Sequence, residues 1–432
     1  MLQLNKVIED AKAKYISSNK KASSVTGSLN NQRSIDYLAV FSTIFGMVCL
    51  GYLVWVILVN QHLDVDFKYI WLSGHLWGIG ASPYGHAYVQ QGQLLFDDFN
   101  NNPFFYPPNW WMISTFLSMF EYHTALNIWR WFNLSLIVLS SLTLRAGMAN
   151  AGVNITWASM MLYTGLVALM QSTFRALILG QTSILIYFGF CVLIYGVISK
   201  KNSWAAVGFC LLLLKPHIGL VFMAALLVFH EHHRSLLFAV SITFLMALPS
   251  LLFPDPVNMI NEYLVGLSMY GNDIYNMHNN ISGLSNIIYR LTKIEIPSMA
   301  ISIGALWFTF GVAMIINGQE FSGKNWRRNK SVAALVMGAS MAGIFIPMHL
   351  NDLLFISPVI LLTVMFAGEF QLLFLVPFLM VTRAYDLAWM AEKIIGQKGG
   401  VYIDWITVVN LAFAVMLLLV IMLIRSNVSK SK

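Results

Sequence analysis

Charge is scarce in this sequence. Asp, Glu, Lys and Arg together make up 10% of its 432 residues, while 58% are hydrophobic; soluble domains carry roughly 25% charged and about 45–50% apolar residues. That shortage excludes an ordinary water-exposed globular surface and points to a bilayer as the solvent. Cysteine is scarcer still. Cys49, Cys191 and Cys210 each sit inside an apolar run, which argues against a disulfide framework or a thiolate metal site. Also missing is a short apolar stretch with a small-residue cleavage site ahead of the first long apolar run. Residues 1–36 are polar instead and read as a cytoplasmic leader, not a signal peptide. A net charge of +7 would suggest nucleic acid in a soluble chain. Here the basic residues cluster in tails and short loops, as the positive-inside rule requires, so no nucleic-acid partner is expected.

What is abundant is apolar sequence in long runs. Tyr37 to Val59 extends about 23 residues without a charge, enough to cross a ~30 Å hydrocarbon core. Further candidate spans are 124–145, 154–169, 182–199, 203–214, 217–230, 235–253, 297–316, 331–347, 353–367, 370–381 and 404–424. The sequence therefore predicts an all-α polytopic membrane protein: a bundle of about 12 transmembrane helices in one membrane domain, residues 37–424, with 425–432 as a cytoplasmic tail. Lys6, Lys12, Lys14, Lys20, Lys21 and Arg33 mark the N-terminus as inside. Lys200, Lys201, Arg234, the run Lys324, Arg327, Arg328 and Lys330, and the tail Arg425, Lys430 and Lys432 then fall inside as well.

Under that topology residues 60–123 and 254–296 are outer loops. The first carries Phe67, Tyr69, Trp71, Trp77, Tyr84, Tyr88, Phe104, Phe105, Tyr106, Trp110 and Trp111. Aromatic rings favour the headgroup zone, so juxtamembrane helices are expected there. Trp110 to Phe120, about 11 apolar residues, is too short to span and is expected to be re-entrant.

Residues able to carry chemistry gather at the predicted outer boundary. Asp64 and Asp66 follow the first span. Partial desolvation beside dense aromatic surface raises a carboxyl toward the range of a working base, whereas a solvated loop start is the plainer reading. Two residues apart on a helix do not share a face, so a metal site at the pair is not expected. Tyr106-Pro107-Pro108 stiffens the chain as it enters the Trp110 run. Arg175, Gly180-Gln181 and Lys215-Pro216-His217 fall where positive charge is otherwise sparse, and ionisable groups at such depth are usually functional. Arg175 and Lys215 either snorkel to the interface or hold an anionic group such as a lipid phosphate. Asn276, Asn279, Asn280 and Ser282 read as an Asx turn or as partners for a hydroxyl-rich ligand; Asn280-Ile281-Ser282 also fits an N-glycosylation sequon. His349, near Asp352, interrupts two apolar runs. His230-Glu231-His232-His233 lacks helical zinc spacing and reads as a solvated helix end.

In their order along the chain, Asp66-Phe67, Trp71-Leu72-Ser73-Gly74 with Gly78, Gly80 and Pro83-Tyr84, Tyr106-Pro107-Pro108, Gly180-Gln181, Lys215-Pro216, Asn280-Ile281-Ser282-Gly283 and His349 resemble one family. It is the polyprenyl-phosphate-mannose-dependent mannosyltransferases, glycosyltransferase family 87 of the GT-C superfamily, and the likeness covers roughly residues 37–365. Two positions depart from the pattern. Ile70 stands where the family has tyrosine, and Leu350-Asn351-Asp352 follows His349 where a second histidine is common. The resemblance implies a GT-C-type bundle and an inverting transfer of a sugar, mannose in the family, from a polyprenyl phosphate sugar to a hydroxyl of a glycolipid or glycan acceptor. It implies Asp66 as the base, with Asp64 as second choice. Lys215, Arg175 and His349 would hold the donor phosphate. Tyr69, Trp71, Tyr106, Gln181, His217, Asn280 and Ser282 would line the substrates. No metal or other cofactor is implied, because the leaving phosphate can be met by fixed cations. The expected setting is the inner (plasma) membrane of a bacterium, with the site on its periplasmic, outer face. Membrane lipids are the other partner.

Two other functions fit parts of the pattern. A secondary transporter or lipid flippase suits twelve spans, but no internal repeat is evident, and the polar motifs crowd one face instead of the midplane. A ligase of whole lipid-linked glycans would favour a much larger outer loop.

Overall fold

A computed structural model describes residues 37–59, 65–97, 99, 104–269, 281–319, 330–367, 371–395 and 404–429. The expected leader at 1–36, Asp64, Asn276, Asn279 and Asn280 lie outside these residues. Each apolar run named above is helical over most of its described residues. The helices are α1 (Tyr37–Val59), α2 (Val65–Gly78), α3 (His86–Leu95), α4 (Trp111–Ser118), α5 (Tyr122–Asn150), α6 (Trp157–Ala168), α7 (Gln171–Leu179), α8 (Ser183–Ile198), α9 (Asn202–Leu212), α10 (Pro216–Leu226), α11 (His233–Ala247), α12 (Pro256–Met269), α13 (Leu284–Thr292), α14 (Ser298–Gly318), α15 (Lys330–Phe345), α16 (Ile356–Ala367), α17 (Gln371–Thr382), α18 (Ala384–Ile395) and α19 (Trp405–Ser429). Among the described residues there is no strand, only an isolated antiparallel bridge between Ser282 and Met348.

Among the described residues the twelve expected spans do not all appear as full-length helices. Four stretches among these described residues are long and apolar enough to cross a membrane: Tyr37–Val59, Tyr122–Asn150, His230–Leu252 and Met299–Gly318. Helices α6 and α7, bent by 62° at a short break, make a fifth if counted together. Several other apolar helices run only 10–17 residues. Hydropathy counts apolar residues, not unbroken hydrogen-bonded turns, and here the apolar sequence is divided into half-length helices by polar links. Those links build the candidate site.

The core forms around α8, which is apolar on every side and accordingly buried almost throughout. It packs between α5 and α9. Close approach to α9 depends on small residues: a β-carbon on Gly208 would lie 2.4 Å from the Leu193 backbone nitrogen. Such contacts replace the hydrophobic drive that is missing between helices in lipid. Cys49, Cys191 and Cys210 are free and buried, as their apolar settings imply.

The aromatic connection after α1 forms the short helices α2, α3 and α4, with α2 packed on α4. Eight residues of α4 rise only about 12 Å, so this helix by itself cannot cross. Ring contacts knit the layer: Tyr69 lies 5.1 Å from Phe99 and Trp71 stacks on His75 at 5.5 Å between ring centres. Farther along, α13 is tied to the start of α19, where Arg290 reaches both Asp404 carboxylate oxygens. The Gly283 amide also donates to Asn410 Oδ1 at 3.1 Å.

Candidate active site

Five separate pieces of chain meet at one end of the α7–α10 bundle. They are the first turn of α2, the Tyr106–Trp110 segment, the α7–α8 link, the α9–α10 link, and the 3-10 helix Leu350–Phe355. Each piece is anchored by its neighbours.

Gly180 ends α7 in the left-handed conformation, φ 68°, where a side chain would be strained. A β-carbon there would also stand 2.6 Å from Phe67 Cβ. Glycine therefore lets the α7–α8 link press against α2 beside Asp66. The Trp129 indole fixes the turn by donating to the Gly180 carbonyl at 2.9 Å. On the next piece, Asn109 and Trp110 donate to the carbonyls of Leu213 and Leu214, at 3.3 and 2.9 Å. Proline at position 216 forbids the preceding lysine a helical backbone. Lys215 accordingly caps α10 at φ −120°, ψ 86°. The first turns of α8 and α10 both lie at this end, and the unpaired N–H groups of a first helical turn favour negative charge.

Asp66 keeps part of its surface open, but its carboxylate is crowded by protein, and desolvation pushes its pKa from 3.8 up to about 6. Gln181 hydrogen-bonds to it, and the charges of Lys215, Asp352 and Arg175 reach it. The Gln181 side chain has a fixed sense. Its Oε1 accepts from the Thr182 amide at 3.3 Å and from the Tyr106 hydroxyl at 3.4 Å. Two donors on the oxygen turn the amide N–H₂ toward Asp66. The Tyr106 hydroxyl also lies 3.4 Å from the Thr182 hydroxyl, and burial holds the phenol well above its ordinary pKa. It stays a neutral hydrogen-bonding group.

Lys215 is buried, 6% exposed, and forms an ion pair with equally buried Asp352. Its ammonium also donates to Ser183 Oγ at 3.2 Å. Ser183 in turn donates to Asp352 Oδ1 at 2.7 Å, and Asn351 Nδ2 donates to Ser183 at 3.2 Å. His217 and His349 are half-buried and close enough for their charges to act on Asp352.

The other expected residues stand around this cluster. Arg175 is exposed and donates to the Tyr385 hydroxyl at 2.8 Å, and its charge reaches Asp66. Ser282 exchanges backbone hydrogen bonds with Met348 and donates its hydroxyl to the Met348 carbonyl at 3.1 Å, one residue before His349. Tyr69 and Trp71 belong to the aromatic layer: the Tyr69 carbonyl accepts from Tyr88 at 3.1 Å, and the Trp71 indole donates to Phe120 at 3.1 Å. Ser183, Thr182, Asn351 and the depth of Asp352 were not legible beforehand. The available signal was a pair of isolated opposite charges, Lys215 and Asp352, each at the edge of an apolar run. Among the described residues no group of three or more His, Cys, Asp or Glu side chains is placed to hold a metal ion, the His230–His233 run included.

An all-helical membrane protein with an acid, a paired cation and hydrogen-bonding groups gathered at broken helix ends has the layout of an integral membrane enzyme. The sequence model of glycosyltransferase family 87 matches residues 104–358, more than half of the chain. The protein belongs to that family and is a membrane glycosyltransferase. Tyr106, Arg175, Gln181, Lys215, His217, Ser282, His349 and Asp352 fall inside the matched range, and Asp66 precedes it. Among curated proteins none matches.

Proposed function

We propose that this glycosyltransferase moves a single sugar, mannose first among candidates, from a polyprenyl phosphate sugar to a hydroxyl of a glycolipid or glycan, with inversion and without a metal. The observation that carries the reading is Asp66. It is a carboxylate with an open edge, made more basic than usual by desolvation and aimed by an amide whose own orientation is fixed. A general base at neutral pH needs those properties.

The acceptor oxygen attacks C1 of the donor sugar on the face opposite the phosphate. Its proton passes to Asp66. The C1–O bond to phosphate breaks, and polyprenyl phosphate leaves with that electron pair. Lys215 meets the growing negative charge: two of its three N–H groups go to Asp352 and Ser183, which leaves one for a phosphate oxygen. Arg175, exposed at the edge, and His349 and His217 would complete the phosphate's surroundings. Tyr69, Trp71, Asn280, Ser282 and Tyr106 remain candidates for sugar or prenyl contacts, and Asp64 is the alternative base. The basic residues of the tails and of the short loops at the opposite end, Lys200, Lys201 and Arg234 among them, support a site on the outer face of a bacterial plasma membrane in a GT-C-type arrangement. The charge pattern of the short loops favours twelve crossings and a single membrane domain with both ends inside.

Purified protein given a short-chain polyprenyl phosphate mannose and a panel of glycolipid acceptors tests the reading. Transfer with inverted anomeric configuration, persisting in EDTA, supports it. Transfer of a preassembled oligosaccharide instead would favour a glycan ligase, and loss on chelation with recovery by Mg²⁺ or Mn²⁺ would remove the metal-free step. Orientation is checked separately: a cysteine introduced at 320–330 should resist an impermeant thiol reagent in intact cells, and one near Asn279 should react.

A further inference from the structure

We infer that Asp352, acting through its ion pair with Lys215 and the Ser183 hydroxyl between them, is a positioning residue that keeps the ammonium on the phosphate side of the site and away from Asp66. This rests on the reading of Asp66 as base and Lys215 as phosphate ligand.

A lysine ammonium is a compact charge on a flexible four-carbon stem. Here it stands within the field of two carboxylates, Asp66 and Asp352. Pairing with Asp66 would disable the site twice. It would occupy the oxygen that must take the acceptor's proton, and it would draw the cation off the leaving phosphate. The geometry prevents both. Asp352 lies in a 3-10 helix whose six residues, Leu350 to Phe355, are all buried, so it cannot follow a moving partner. Its Oδ1 accepts from Lys215 and Ser183 together, and Ser183 is itself held by Asn351. Asp352 is only 6% exposed, which suits a counter-ion better than a group that meets substrate.

The arrangement also acts on Asp66 at a distance. The charged groups that face Asp66 are Lys215 from the α9–α10 link, Asp352 from the 3-10 helix and Arg175 from α7. Gln181 hydrogen-bonds to it, and the neutral Tyr106 phenol lies beside that amide. His217 and His349 stand near Asp352. Lys215 and Arg175 favour the ionised base, and Asp352 opposes them. Removing Asp352 unmasks the ammonium and makes Asp66 a weaker base. A purely structural role for Asp352 would not move that property.

The test is the acidic limb of kcat/KM against pH, measured with short-chain polyprenyl phosphate mannose. In the wild type it should fall near pH 6. Persistence of that limb in His217→Gln and His349→Gln, with Asp66→Asn inactive, assigns it to Asp66; failure there overturns the reading of the base, and the role of Asp352 falls with it. With the limb assigned, Asp352→Asn should move it down by about half a pH unit or more and cut turnover roughly tenfold. Asp352→Glu, which keeps the charge, should restore the limb's position.

Because Asp352→Asn leaves Lys215 buried without its partner, and Lys215→Met does the same to Asp352, the second comparison includes the double variant, which removes both charges. Lys215→Met should raise the limb, since Asp352 is then opposed by Arg175 without the lysine, and Lys215→Met/Asp352→Asn should bring it back down. An assigned limb that stays in place across both comparisons overturns the inference about Asp352 and leaves Asp66 as the base.

Discussion

Asp66 and Asp352 are two carboxylates in one site with opposite surroundings. Asp66 retains an open edge, and Gln181, which hydrogen-bonds to it, is a neutral amide. Asp352 is buried and carries its own counter-ion. Carboxylates that share a site are told apart by environment, not by residue type. The difference teaches which can react: a base needs access and raised basicity, whereas a counter-ion needs permanence. Placing the ionic half of the site in the buried 3-10 helix leaves the reactive half free to meet substrate.

The largest effect should come from Asp66→Asn. It removes the base with almost no change in volume, so turnover should drop by at least about a thousandfold while donor affinity stays near wild type. Steady-state transfer together with direct binding of a short-chain polyprenyl phosphate checks this. If Asp64→Asn is dead and Asp66→Asn active, the two acids exchange roles. A second consequence has the opposite sign. The folded chain disfavours ionised Asp66, whose pKa rises from 3.8 to about 6. Asn at this position should therefore stabilise the protein at pH 7.5, by about 1–2 kcal/mol after allowance for the open edge. The gain should vanish below about pH 4, where the carboxyl is protonated in both the folded and the unfolded chain. Thermal unfolding in detergent at the two pH values measures it.

Lys215→Met should come next. A charge-assisted contact that strengthens as the phosphate leaves contributes ~2–4 kcal/mol in a low-dielectric site, so turnover should fall on the order of a hundredfold, with a smaller loss of donor affinity. Arginine should rescue only in part, because its planar fork differs from an ammonium. Unchanged turnover in folded Lys215→Met would reduce this residue to a snorkelling lysine.

Gln181→Ala sharpens the contrast from the other side. Losing a hydrogen bond to a charged group costs roughly 1.5–3 kcal/mol, and turnover should fall at least about tenfold. Gln181 draws the Asp66 pKa down, so the acidic limb of the pH profile should move up, opposite to the shift in Asp352→Asn. A limb that stays put would separate Gln181 from the base. Arg175→Gln should have the smallest effect, a few-fold at most, because an exposed cation is largely screened by solvent. Loss in that variant should shrink further as salt is raised.

Much of this could be read in advance, and for physical reasons. The scarcity of charge, the apolar runs and the aromatic connection dictate a helical membrane protein, because lipid cannot solvate an exposed backbone. Asp66, Gln181, Lys215 and His349 stood out as polar residues at apolar boundaries, and sequence order alone suggested a family that residues 104–358 bear out. The number of full-length crossings was less legible: the runs break near Gly180 and Pro216 in the sequence as they do in the fold, but hydropathy does not say how far each helix continues unbroken on either side. Pairing was not legible at all. Lys215 and Asp352 are 137 residues apart, and Tyr106 and Gln181 are 75 apart. One carboxylate became a counter-ion and the other a candidate base only when the broken ends of α7 and α9 were packed against α2 and the 3-10 helix. Desolvation and charge pairing are properties of that packing, and no residue type carries them by itself.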